Sequence, residues 1–443
     1  MGDLFKAIFG TIAGPLFLVI GMGVIFFTFR TVNVDFLPVL TLIVALSPLW
    51  LPISLFYLTF ARWVEFVQLK FQDSQGRVTL RIKLPQDVFK SPEAMESVFT
   101  QIFNPNPSDN LLQTFINGKH PLTSCFELVS IGGEVRFYAN VPRKKVKNAL
   151  ESQLYAQYPG IEITEETIDY TAEIKNDLEL YEWMSFHIGK KGDEVFPIKT
   201  YIDFGLDRMP KEEEKFEPMA PLLEHLGRCR PFERIWVQIM ITPHVKRNLK
   251  NGNLGEGATW DSKVAKKIDE MMGREKAQTS SDEYETKTTL TMGERDTIAA
   301  IQRNVGKFAY ETVIRAMYIA EAGKFDGEMI GPLLRSFSQY DIVGRNQFGL
   351  QWRTDFDYNF ISDPSGQRKR FYKKREMDFY KGRNYIPSDV KNFADKPKVM
   401  SVEELATFYH IPGKAIVTPA VTRVESLRKD APANLPTGTP DFN

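Results

Sequence analysis

Two long stretches without a charge dominate the first sixty residues. From Ala7 to Phe29, and again from Phe36 to Ala61, no Asp, Glu, Lys or Arg occurs. An α-helix rises about 1.5 Å per residue, so each run is long enough to cross roughly 30 Å of hydrocarbon. Arg30 and Arg62 close the two runs, and the link from Arg30 to Asp35 leaves room only for a tight hairpin. Pro15, Pro38, Pro48 and Pro52 would break helices in water, but bilayer helices tolerate proline. Trp50, Tyr57 and Trp63 sit where interfacial anchors belong. The expectation is a transmembrane helical hairpin over residues 1–62. The alternatives are a cleaved signal peptide with one span, for which no A-x-A-like site is found, and a buried hairpin of a soluble fold. Lys6 precedes the first run, while Arg62, Lys70, Arg77, Arg81 and Lys83 follow the second. The positive-inside bias then places both termini and the soluble domains in the cytoplasm, against the cell (inner or plasma) membrane.

The remainder has ordinary globular composition. Lys plus Arg and Asp plus Glu number 56 each, which excludes a globally basic nucleic-acid binder but not a local patch. Cys125 and Cys229 are too few for a disulfide scaffold, and their reduced state agrees with a cytoplasmic location.

Beyond the apolar runs, the periodicity predicts an α+β fold. Trp63–Phe71 and Arg77–Leu84 alternate like strands. Ser91-Pro92-Glu93 opens a helix, with an N-cap serine and proline at the first helical position. Ser124–Ile131 and Glu134–Asn140 flank Gly132-Gly133 and read as a hairpin. A helix from Pro142 and a strand at Ile161–Thr164 complete β-α-β-β-α-β, the ferredoxin-like order, over residues 63–170. The same order is expected in residues 171–360. There the strands are Ile198–Phe204, Arg234–Ile241, Lys307–Ile319 and Phe348–Asp355, with helices at Met219–Leu226 and Asp326–Ser338. A helical insertion at 242–306, carrying polar helices Asp261–Met272 and Met292–Val305, reads as a projecting hairpin. Residues 361–443 are a basic segment and an extended, proline-rich tail.

No catalytic signature emerges. Gly189-Lys190, Gly306-Lys307, Gly323-Lys324 and Gly413-Lys414 all fail the G-x4-G-K-[ST] phosphate-loop pattern. His120, His187, His225, His244 and His410 are scattered singly, so no zinc spacing exists. No G-x-S-x-G elbow occurs. The expectation is a non-enzymatic protein with no metal and no cofactor.

Two features rise above this background. Residues 368–383 carry eight basic residues and four aromatics in sixteen positions. Arg368, Lys369, Arg370, Phe371, Tyr372, Lys373, Lys374, Arg375, Lys381 and Arg383 are candidate contacts to an anionic ligand, either a lipid headgroup or nucleic acid. The plain alternative is a solvated ribbon or loop whose aromatics pack on the second unit. The other feature is the tail. Ser401-Val-Glu-Glu404 is a capping box that starts a short helix, and Leu405, Phe408, Tyr409, His410 and Pro412 are candidate docking residues. Such a strap gains stability only along another surface, its own domain or a neighbouring subunit.

The tail order E-L-A-T-F-Y-H-I-P (404–412), Thr418-Pro419, Arg423-Val-Glu-Ser426 and P-A-N-L-P (432–436) resembles a segment of membrane-anchored proteins in type IV secretion and conjugation-like systems. In those proteins it precedes a DNA-pumping ATPase domain. The block Leu84-Pro85 with Ser91-Pro-Glu-Ala-Met-Glu-Ser-Val-Phe99 resembles their first α+β unit. The resemblance implies a membrane-anchored adaptor or scaffold, a homo-oligomer, that docks a separate Walker-type ATPase. It carries over no catalytic residue.

Overall fold

The computed structural model describes residues 36–85, 90–208, 217–246, 248, 259–272, 290–354, 363, 366–384, 397–413 and 423–424. The first uncharged run, Ala7 to Phe29, lies outside the described residues. The second is not one span. It forms α1 (Phe36–Ala45) and α2 (Ser47–Gln75), divided at Leu46. The ten residues of α1 rise only about 15 Å. From Arg62 onward α2 carries Glu65, Lys70 and Asp73. A crossing needs about 20 consecutive apolar residues. Among the described residues no helix is long and apolar enough to cross a membrane, which corrects the expected transmembrane hairpin. The strand expected at Trp63–Phe71 is likewise the second half of α2, which buries Val64 and Val67 one turn apart.

The α+β class stands. The chain continues as β1 (Arg77–Pro85), α3 (Glu93–Gln101), α4 (Leu111–Phe115), β2 (Ser124–Ile131), β3 (Glu134–Pro142), α5 (Lys147–Gln157) and β4 (Glu162–Glu166). Their order in the sheet is β4-β1-β3-β2, every neighbour antiparallel, as the split β-α-β requires. Gly132 and Gly133, both at positive φ, turn β2 into β3 where a side chain would be strained.

Next come β5 (Tyr181–Lys190), α6 (Ala220–Gly227), β6 (Glu233–Pro243), α7 (Trp260–Met271), α8 (Met292–Val305), β7 (Ala309–Glu321), α9 (Ile330–Arg335) and β8 (Phe348–Arg353). Their sheet order, β8-β5-β7-β6, repeats the first. The opening strand is β5 rather than Ile198–Phe204. At 198–204 the backbone turns, because Asp203 accepts from both the amide (3.0 Å) and hydroxyl (3.2 Å) of Thr200. β5 escapes periodicity because Ser185, His187 and Lys190 interrupt it while being buried.

β2 pairs antiparallel with β6 from Ser124↔Ile241 to Ile131↔Arg234. The two units therefore share one sheet, as if two copies had met through identical edges. The chain then adds α10 (Gln367–Gly382), β9 (Lys398–Ser401), α11 (Val402–Phe408) and β10 (Arg423–Val424). β9 extends the antiparallel pairing on β7, and β10 lies parallel to the end of β1. Residues 361–443 are thus not uniformly extended: among the described residues, α10, α11 and the short strands β9 and β10 fold onto the sheet.

Alternation along each strand fills two layers. One face carries Leu80, Ile82, Phe126, Leu128, Phe137, Val237, Ile239 and Ile314, covered by α3, α5, α6, α9 and α11. The other carries Val129, Tyr138, Trp183, Trp236 and Met317, covered by α10 and a 3-10 turn at Tyr170–Glu173. The inserted helices α7 and α8 do not project. Trp260, Val264 and Ile301 pack with Val195, Ala309 and Val399.

Candidate functional site

One register row of the second face carries buried charged and amide side chains, where the rows beside it are mostly apolar. Tyr138, Glu127, Gln238, Arg315 and His187 stand side by side on β3, β2, β6, β7 and β5. Glu127, Gln238 and Arg315 are fully buried and His187 is nearly so. Charges out of water must be paired, and α10 supplies the partners. Glu376 accepts from His187 Nε2 at 2.6 Å and sits 2.9 Å from Arg315 Nε. Burial pushes the Glu376 carboxyl upward, but His187 and Arg315 hold it below the usual carboxylate range. Arg383, just past the helix, donates Nε to Glu127 Oε1 (2.9 Å) and Nη2 to Oε2 (3.1 Å). Its Nη1 reaches Asp169 at 2.7 Å. Glu127 also accepts from Gln238 Nε2 (2.9 Å) and from the Tyr170 hydroxyl (2.9 Å).

The basic-aromatic segment is therefore a helix, neither ribbon nor loop. Arg, Lys, Glu and Met are good helix formers. Gly366 enters it with positive φ, and Arg383 leaves it at φ 50°, a left-handed conformation held by the Glu127 and Asp169 bonds. Lys373, Glu376, Met377 and Tyr380 face inward at i, i+3, i+4 and i+7. The Lys373 carbonyl accepts from the Trp183 indole at 3.0 Å. Arg370, Phe371 and Lys374 face solvent, while Arg368, Lys369, Tyr372, Arg375 and Lys381 are partly buried. Arg368 lies over Tyr372 and Arg375 over Phe379, so two of the four aromatics meet cations of their own helix. Lys381 Nζ donates to the Ile174 carbonyl. Of the ten residues predicted to meet an anionic ligand, Lys373 and Arg383 are built into the fold.

The tail docks on its own domain. Ser401 and Glu404 form the reciprocal capping box expected from sequence. Glu404, fully buried, meets Lys190 Nζ at 2.7 Å. Glu403 takes Arg303 Nη2 at 3.0 Å and Lys307 Nζ at 2.9 Å. Leu405, Phe408, Tyr409, His410 and Pro412 are all buried. The Tyr409 ring lies 5.2 Å from that of Phe126 and 6.5 Å from that of Phe99, so it enters the first unit. Phe408 meets Phe348 edge-on at 5.7 Å in the second unit. His410 Nε2 bonds Glu217 at 2.6 Å. The strap thus ties the two units together.

A third region went unpredicted. The loop 104–120 is stitched along α2. The Trp63 indole donates to the Phe115 carbonyl at 2.7 Å, and Gln72 meets His120 at 2.9 Å. At Gly118, φ is +66°, and a Cβ would lie 2.0 Å from the Val67 carbonyl oxygen, so only glycine permits the approach. Burial lowers the His120 pKa. The loop leaves Leu111, Leu112 and Ile116 exposed, and Trp63, Phe66 and Leu69 of α2 are exposed as well. Their sequence signal is the two apolar pairs Leu111-Leu112 and Phe115-Ile116 in a loop otherwise made of polar residues, glycine and proline.

Among the described residues, no group of three or more His, Cys, Asp or Glu is placed to hold a metal ion. An open depression beside α6 and α9 is lined by Pro221, His225, Arg335 and Ser336, and the Ser336 hydroxyl donates to the Leu333 carbonyl at 2.7 Å rather than to His225. Burial lifts the Cys125 and Cys229 thiols to about 11, away from thiolate chemistry.

The chain belongs to a family known as a domain of unknown function (DUF8128), whose model matches residues 65–424. That stretch covers both units, α10 and the strap. No curated protein matches the chain. The family description says nothing of secretion or conjugation, so no finding supports the roles expected from the resemblance.

Proposed function

We propose that this DUF8128 chain is a non-enzymatic scaffold that works at a lipid surface. The observation that carries the reading is the exposure of α2 before Arg62. Leu49 and Leu51 stand about 200° apart around a helix, and both are exposed, at 68% and 41%. Leu55 and Phe56 are exposed too. A protein groove covers one side of a helix, whereas a helix apolar on opposite sides calls for a surrounding apolar medium. Neither α1 nor the uncharged half of α2 reaches bilayer thickness, so the association is attachment to the surface and not crossing. The sheet supports a scaffold role, since helices cover both faces and its buried charges are spent on internal pairs. The partners we propose, further copies of the chain and a separate Walker-type ATPase, rest on the resemblance of the tail and first-unit blocks.

The test is flotation of the purified full-length chain with phosphatidylcholine/phosphatidylglycerol vesicles. Co-flotation that survives high salt, and that fails when Leu49, Leu51, Leu55 and Phe56 are changed to Ser, is the expected result. A chain that stays at the bottom of the gradient in every mixture refutes the reading.

A second reading is favoured by the solvent face of α10. Arg370 and Lys374 flank exposed Phe371 there, and such a face suits anionic headgroups or single-stranded nucleic acid. It accounts for fewer exposed groups than the α2 surface does.

A further inference from the structure

We infer that the α4 loop is a second lipid contact, a foot that seats the first unit against the membrane surface beside α2. The inference rests on the lipid-surface reading above and adds a place and an orientation to it. Leu112 and Ile116 are 63% and 59% exposed, on a loop that has no need to show them. A five-residue helix in water ordinarily turns such side chains inward, yet α4 turns only Thr114 fully in. The loop is held in this pose. Asn110 caps it through the Gln113 amide at 2.9 Å, and the Phe115 ring packs 5.3 Å from that of Phe60. The indole bond from Trp63 and the tight approach at Gly118 fix it against α2.

Leu111, Leu112 and Ile116 thereby lie exposed on a loop held against α2, and Trp63, Phe66 and Leu69 of α2 itself add further exposed apolar surface to this patch. Three observations commit that patch to lipid rather than to a second copy. It is continuous with the part of α2 that is exposed on opposite sides, which no single protein face covers. It begins at Arg62, where charge first enters the helix, the level at which a partly inserted helix leaves hydrocarbon for headgroups. Trp63 stands at that level with its ring half exposed and its N–H satisfied, as interfacial tryptophans do.

The experiment places single thiols by Leu112→Cys, Ile116→Cys and, as a distant control, Tyr155→Cys in the full-length chain. Tyr155 is half exposed on α5, and native Cys125 and Cys229 are buried with raised thiol pKa. Labelling by an impermeant maleimide is timed with and without phosphatidylcholine/phosphatidylglycerol vesicles, and flotation is measured on the same samples. Slowing at 112 and 116 of at least about fivefold is expected, with no change at 155, since half-exposed side chains of this size hold the loop down most of the time. Flotation with unchanged labelling at 112 and 116 overturns the foot and leaves the lipid-surface reading standing. Failure to float overturns both. Protection without vesicles that grows with protein concentration assigns the patch to a second copy and overturns the proposal.

Discussion

Replacing Arg383 by Gln tests whether the end of α10 belongs to the fold or to a ligand surface. Arg383 holds Glu127 through two bonds of 2.9 and 3.1 Å and Asp169 at 2.7 Å. The Glu127 side chain is wholly buried and that of Arg383 nearly so. Removing one partner of such a pair strands the other charge, at a cost of about 3–5 kcal/mol. Gln238 and Tyr170 still donate to Glu127, which favours the lower end of that range. Even 3 kcal/mol is a large share of a typical stability of about 5–15 kcal/mol. The assay is urea unfolding of the full-length chain in mild detergent, followed by tryptophan fluorescence, because Trp183 and Trp236 lie beneath α10. Lys374→Gln on the solvent face is the comparator, expected within about 0.5 kcal/mol of wild type. Adding Glu127→Gln to Arg383→Gln relieves the stranded charge. The double variant is then less damaged than the sum of the singles by roughly 1–3 kcal/mol. An Arg383→Gln chain as stable as the Lys374→Gln chain, or strictly additive behaviour of the pair, refutes the reasoning.

Acid should loosen the fold through this network and through the strap's Glu217–His410 pair. Burial pushes the carboxyls of Asp169, Glu217 and Glu376 up, but Arg383, His410 and His187 with Arg315 respectively hold them below their ordinary values. Depressed carboxylates add stability that is present above about pH 4 and lost as pH falls through the folded-state values, so the urea midpoint should drop steeply below about pH 4. Tyr409→Ala should cost about 3–5 kcal/mol in urea unfolding, since it empties a site among Phe99, Phe126 and Phe137; a loss under about 1 kcal/mol would mean that the strap is not seated there. Arg370→Gln with Lys374→Gln should leave stability unchanged. It should weaken binding of detergent-solubilised chain to anionic over neutral nanodiscs by about 2 kcal/mol at low salt, and equal binding to both lipids would dismiss the second reading.

How much was legible in the sequence differs from element to element. The hairpin at Gly132-Gly133, the Ser401 capping box and the helix at Glu93 are set by neighbours within a few residues, and periodicity placed them within a residue or two. Tertiary contact decided the rest. β5 hides its strand character because His187 and Lys190 are buried against Glu376 and Glu404, residues about two hundred positions away. α10 hides its inward face because Lys373 and Glu376 sit at inward positions, Glu376 paired with His187 and Arg315 of the polar row and Lys373 4.0 Å from Glu182. Alternation within β2 and β6 says that each has a buried face, but not that their edges join, because backbone pairing carries no side-chain signature. The uncharged run from Phe36 to Ala61 announces an apolar surface, while the break at Leu46 and the loop clasped to Trp63 settle its length and shape. Local chemistry fixes which conformations a segment favours. Which lone charges and apolar faces find partners depends on where the chain returns to in space.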